Sequence, residues 1–138
     1  MQILRETPTV DVYLELRKKV GWKDLTRKQA EMALSNSLAV FVAYDNDKPI
    51  GMGRLVGDGA VICYIQDLIV VPQSQSQGVG SVLIDKIIEY VKEISQDGTE
   101  MMLALMCAKG REVFYHKHGF ISRPTDSLGP GMIRYIKK

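Results

Sequence analysis

The stretch between Ala60 and Cys107 constrains the fold more than any other part of this chain. It begins with "AVICYIQDLIVV" (60–71), a β-branched run with almost no polar interruption, and passes through "PQSQSQGVG" (72–80). From Ser81 to Glu93 the period changes: Val82, Leu83, Ile84, Ile87, Ile88 and Val91 form one apolar stripe, while Asp85, Lys86, Glu89 and Lys92 fall on the opposite side. Gln96-Asp97-Gly98 ends that helix, and "MMLALMC" (101–107) is again a buried strand. A strand that reaches the next strand through a helix returns parallel to it. Near-continuous apolarity in 60–71 implies burial on both faces and a place at the sheet centre.

The sequence before this unit is a meander. "LAVFVAY" (38–44) stops at the turn cluster Asp45-Asn46-Asp47-Lys48-Pro49, and "IGMGRLVG" (50–57) returns to a second turn at Gly57-Asp58-Gly59. Residues 1–5 fit a short strand. Thr7-Pro8-Thr9 opens a first helix carrying Val10, Tyr13, Leu14, Leu16 and Val20. Thr26 with Gln29 has capping-box spacing and opens a second helix to about Leu34. After 107, "GREVFYHKHG" (110–119) reads as a short helix closed by Gly119, followed by an irregular segment from Arg123 to Gly131 and a last strand at Met132–Ile136. The expected fold is α+β: a mixed, mostly antiparallel sheet flanked by helices, in a single domain spanning 1–138.

Charge and composition narrow the function classes. Eighteen basic against 16 acidic side chains give a formal charge of +2, too little for a nucleic-acid or anionic-membrane face. No run of about 18 apolar residues exists to span a bilayer, and the acidic, proline-bearing N-terminus lacks a signal-peptide core. Cys63 and Cys107 lie far apart within apolar runs, which reads as reduced core thiols in a cytoplasmic protein. The methionines other than Met1 read mostly as core filler.

A strand, a glycine-bearing loop and a helix together form an anion site in principle. The first helical amides lack internal partners, and the macrodipole adds positive potential there. Two familiar phosphate loops do not fit. A Walker loop needs Gly-Lys-Ser/Thr, but Ser81-Val82 follow Gly80; a dinucleotide loop needs a third glycine at 83, which is Leu83. The longer string Gln75-Ser76-Gln77-Gly78-Val79-Gly80, preceded by Val70-Val71-Pro72 and followed by an amphipathic helix, resembles the coenzyme A loop of the GCN5-related N-acetyltransferase (GNAT) superfamily. "FYHKHGF" (114–120) is similar to that superfamily's aromatic-Tyr-x-x-x-Gly-Phe segment, and the order of elements agrees along the chain.

The resemblance implies an N-acetyltransferase that moves acetyl from acetyl-CoA, a co-substrate, to a primary amine of a small molecule by direct attack, without a metal. It implies that Gln75, Ser76, Gln77, Gly78, Val79, Gly80 and Ser81 wrap the pyrophosphate. It also implies that backbone groups of Leu68, Ile69 and Val70 pair with the pantetheine arm, one amide serving as oxyanion donor. No Lys or Arg lies between Val70 and Ser81, where relatives often carry one, so amides and helix dipole must hold the phosphates. Tyr115 matches the family's acid for the departing thiolate; a phenol with pKa near 10 is protonated at neutral pH. Where related enzymes place a Glu base, this chain has Gln66, which orients an amine or a water but takes no proton. Strand alternation sends Asp67 to the face opposite Gln66 and Tyr64. His116 and His118 lie about 200° apart on a helix and do not form a pair.

The first two helices and the 123–131 loop, with Arg123 or Asp126 at its border, are expected to shape the acceptor pocket. A homodimer is compatible with this reading. Two rivals are a protein or peptide N-acetyltransferase and a non-catalytic acyl-CoA-binding module, the latter favoured by the missing Glu.

Overall fold

The computed structural model describes residues 1–138, which group into two compact units, 1–105 and 106–138. The first unit is a five-stranded sheet in the order β1 (Gln2–Arg5), β2 (Ala39–Asp45), β3 (Lys48–Gly57), β4 (Ile62–Val70) and β5 (Met102–Leu105). Neighbours from β1 to β4 are antiparallel, and β4 with β5 is parallel. The middle strand is therefore β3. β4 is interior but next to the edge, one place from the expected centre, because the chain supplies only one strand beyond it.

Local chemistry sets the turns. Asn46 and Asp47 both take positive φ, 47° and 36°, as a tight two-residue hairpin requires, and Asn and Asp tolerate this conformation. At the next turn one carboxylate oxygen of Asp58 accepts the amides of Ala60, Val61 and Ile62 at 2.7–3.0 Å. These bonds hold the Asp58 carboxyl below its ordinary pKa.

Helix α1 (Val10–Lys19) starts where the Thr9 hydroxyl accepts the Val12 amide, and α2 (Arg27–Ser35) where the Thr26 hydroxyl accepts the Gln29 amide. Helix α3 (Val79–Ile94) buries Val79, Leu83, Ile84, Ile87 and Val91. Each such side chain contributes about 1.5–3 kcal/mol by leaving water. The helix comes close to β3 because β3 presents glycines to it: a Cβ at Gly53 would lie 2.7 Å from the Ile87 side chain, and one at Gly51 would lie 3.3 Å from Leu83.

The β3–β4 register is interrupted. Arg54 pairs with Gln66 and Met52 with Ile69, so Gly53 faces two residues, Asp67 and Leu68. This is a β-bulge, and its first residue, Asp67, has φ 57°. Strict alternation, expected from the sequence, fails here. The extra residue returns Asp67 to the side of Arg54 and Gln66, where it meets α1.

The second unit holds α4 (Glu112–Lys117), with left-handed Gly119 after it, and a loop closed by Arg123 Nε donating to the Gly129 carbonyl at 2.6 Å. The strand expected at Met132–Ile136 does not form. Its residues are β-favouring, but a strand exists only against a partner, and residues 129–138 carry no regular structure. Met132, Ile133, Tyr135 and Ile136 are instead 64–88% exposed. Of the methionines read as filler, Met52 is buried, whereas Met32, Met102, Met106 and Met132 are exposed. Cys63 is a core thiol beside Met101; Cys107 is exposed, because β5 ends before it.

Candidate active site

In the first unit, β4 and β5 part company. Their pairing runs from Ile62 with Met102 to Ile65 with Leu105, but β4 continues to Val70. Residues 66–70 thus have an edge that β5 does not cover. The Val71 amide donates to Ile50 O at 2.9 Å, which fixes the alternation: N–H and C=O of Val70 and Leu68 turn toward the uncovered edge, and those of Ile69 toward β3. The Ile69 carbonyl accordingly lies 2.6 Å from where a Gly51 Cβ would stand. The Gln66 side chain, preceding the bulge, is exposed.

After Val71 the chain makes one 3-10 turn at Pro72–Ser74 and then a loop with two left-handed residues, Ser76 at φ 63° and Gly78 at φ 85°. Such alternation of hand turns successive amides toward a common side. Two amides fix the loop by their side chains: Gln75 Nε2 donates to the Val70 carbonyl at 2.9 Å, and Gln77 Nε2 to the Gln73 carbonyl at 3.2 Å. Gly78 is the N-cap of α3, and no side chain caps the helix. The amides of Val79 and Gly80 therefore begin a 16-residue helix without a capping hydrogen bond from a side chain. Nothing lies within 4 Å of the Cβ position of Gly78, so the space before the helix is open. This donor set, all amide and without a cation, suits a diphosphate.

Leu68, Val70 and residues 75–81 thus sit on one continuous path, the uncovered strand edge leading to the helix start. A cleft of about 740 Å³ in the same unit is lined by Val12, Glu15, Leu16 and Lys19 of α1 and by residues 45–49. None of the residues expected to hold the coenzyme lines it.

In the second unit Tyr115 is half-buried between two rings at steep angles, Phe114 with centroids 5.0 Å apart and Phe120 at 5.9 Å. Burial, then the neighbouring Cys107, raises the Tyr115 pKa above its ordinary 10, and Arg111 partly offsets this. His116 Nε2 lies 2.7 Å from Ser122 Oγ, and the His118 ring packs on Phe114, so each histidine has its own structural contact. Arg123, expected at the acceptor border, is occupied in closing its own loop.

A family model described as an acetyltransferase (GNAT) domain matches residues 36–122, more than half of the chain. The chain belongs to the GNAT family.

Among solved GNAT-fold structures, a protein of unknown function from methicillin-resistant Staphylococcus aureus is 34% identical, with 99% of this chain and 98% of that one covered and a TM-score of 0.84. A GNAT family acetyltransferase from Streptococcus pneumoniae is 32% identical over the same shares, with a TM-score of 0.83. GCN5-related N-acetyltransferase 1, chloroplastic, of Arabidopsis thaliana is 31% identical over 83% of this chain. This GNAT chain spans 57–66% of the length of three curated relatives that it matches. No helix in it is long and apolar enough to cross a membrane.

One part of the site escaped sequence reasoning: the cluster around Asp67. Asp67 accepts from Tyr13 Oη at 2.5 Å, Arg17 Nη1 at 2.6 Å and Arg54 Nε at 3.0 Å, with its own side chain 0% exposed. A lone acid in an apolar strand was the available signal, since a buried carboxylate needs partners.

Proposed function

We propose that this GNAT protein is an N-acetyltransferase that transfers acetyl from acetyl-CoA to a primary amine of a small molecule by direct attack, its two units acting as one catalytic domain. One observation carries the reading: the edge of β4 that β5 leaves uncovered leads, through the turn and loop at 72–77, to a helix start without a side-chain cap whose approach is left open by Gly78. Acetyl-CoA supplies the acyl group as a thioester. Leu68 and Val70 offer backbone groups to the pantetheine arm, with the Leu68 amide as donor to the acyl oxygen as it gains negative charge. The side chain of Gln75 yields the Val70 carbonyl to the arm. Ile69, whose backbone faces β3, supports the edge from inside. Amides of residues 75–81 hold the diphosphate.

Gln66 orients the uncharged amine beside a water that takes the proton the nitrogen sheds on attack, and solvent returns a proton to the Tyr115 phenolate after transfer. The amine nitrogen forms its bond to the acyl carbon, the carbon–sulfur bond breaks, and the thiolate takes the Tyr115 phenolic proton. The raised pKa of Tyr115 supports this role, since it keeps the phenol loaded through neutral and mildly alkaline pH. The chain has two unpaired thiols and reads as cytoplasmic. The exposed apolar run Met132–Ile136 supports a homodimer.

Calorimetric titration with acetyl-CoA, followed by thiol-release assays on a panel of polyamines, amino sugars, arylalkylamines and peptides, tests the reading. Micromolar binding and turnover with a small amine are expected. Binding without turnover on any amine would instead favour an acyl-CoA-binding module, which the neutral Gln66 supports, and turnover on peptides alone would favour a protein acetyltransferase.

A further inference from the structure

Asp67 is the one charged residue buried in the chain, and it stands in a backbone conformation that side-chain-bearing residues rarely adopt. Such a conformation persists only where surroundings over-determine it. Here they do. Tyr13 and Arg17 come from α1 and Arg54 from β3, and all three donate to the two carboxylate oxygens. Each arginine is itself anchored. Arg17 Nη2 donates to the Lys23 carbonyl at 3.0 Å, and its guanidinium lies 5.4 Å from the Trp22 ring. Arg54 Nη1 lies 3.4 Å from both the Ala33 carbonyl and Ser37 Oγ, at the end of α2. The carboxylate is thereby tied to three elements, and it has no open face from which to meet a substrate. A general-base role is excluded by that burial.

The bulge has a directional effect. One extra residue in β4 reverses, from Leu68 onward, which amides face β3 and which face the uncovered edge. Gly53 permits it by placing no Cβ opposite the pair, where Leu68 and Ile87 already crowd the position. We infer that Asp67 is a positioning residue for acyl transfer: its clamped carboxylate locks the bulge, and the bulge aims the Leu68 amide at the acyl oxygen. This rests on the acetyltransferase reading for its chemistry, but the clamp itself is testable without turnover.

The variants are Asp67→Asn, which tolerates the left-handed conformation but removes the charge, and Tyr13→Phe, which removes a single donor. Two readouts are taken. In steady-state kinetics with acetyl-CoA, Asp67→Asn lowers kcat by roughly tenfold or more with KM for acetyl-CoA within about twofold, and Tyr13→Phe gives a smaller fall in the same direction. In amide NMR, the cross-strand proximities Arg54–Gln66 and Met52–Ile69 that mark the bulge weaken, and the Leu68 amide shifts. A variant that melts earlier yet keeps wild-type kcat below its transition and an unaltered Leu68 amide has lost only a tie between helix and sheet, and the inference is overturned. A wild-type protein without turnover on any amine removes the acetyltransferase reading, while the NMR arm still decides whether Asp67 holds the bulge.

Discussion

At the scale of single residues, the proposed mechanism turns on the phenol of Tyr115 and on the neutral amide of Gln66. Tyr115 keeps its proton because burial disfavours the phenolate, so its pKa lies above 10. An acid with a raised pKa is competent at all lower pH and fails as pH climbs through that pKa. The alkaline decline of the rate is therefore expected at higher pH than an exposed phenol would give. Tyr115→Phe is expected to lower kcat by about 10²-fold or more and to flatten that alkaline decline, measured as kcat against pH with saturating acetyl-CoA. An unaltered rate and profile would take Tyr115 out of the mechanism. Gln66 was legible as a departure from the family's acid, because strand, position and residue type all stand in the sequence. Asp67 was not. Nothing in "IQDLIV" marks a bulge, Asp being merely tolerant of positive φ, and its partners Tyr13, Arg17 and Arg54 are brought to it only by the folded sheet.

At the scale of elements, the proposed coenzyme site lies at the entry of α3. Gly78→Val sets a β-branched residue at φ 85° into empty space, so it strains the backbone by about 1–2 kcal/mol without a clash and puts carbon into the proposed diphosphate approach. The expected outcome is coenzyme A affinity weakened by tenfold or more by calorimetry, with a melting temperature lowered by a few degrees. Affinity equal to wild type would move the coenzyme elsewhere. Elements with a strong internal signature were readable from the chain: the stripe of α3, the Thr9 and Thr26 caps, and the Asn46-Asp47 hairpin each decide their own geometry. The last strand was misread because its pattern, "MIRYI", records a preference for a pleated surface but not whether one is present.

At the scale of the whole molecule, the second unit buries no residue, and its exposed tail leaves apolar side chains in water. Deleting residues 132–138 is expected to convert a species running at twice the 15.5 kDa chain mass into one running as a single chain, read by light scattering after gel filtration. An unchanged mass would show that the tail has no part in pairing. The sheet has its own bearing on function through the glycines of β3. Gly53 lets Ile87 settle onto the strand, and Ile87 stands nine residues, about 13 Å, along the helix from Gly78. Gly51 opens the same face nearer the helix start, where a Cβ would stand 3.3 Å from Leu83 and 3.5 Å from Val79, so hydrogens in place of side chains on one strand seat the first half of the helix, its opening turn included.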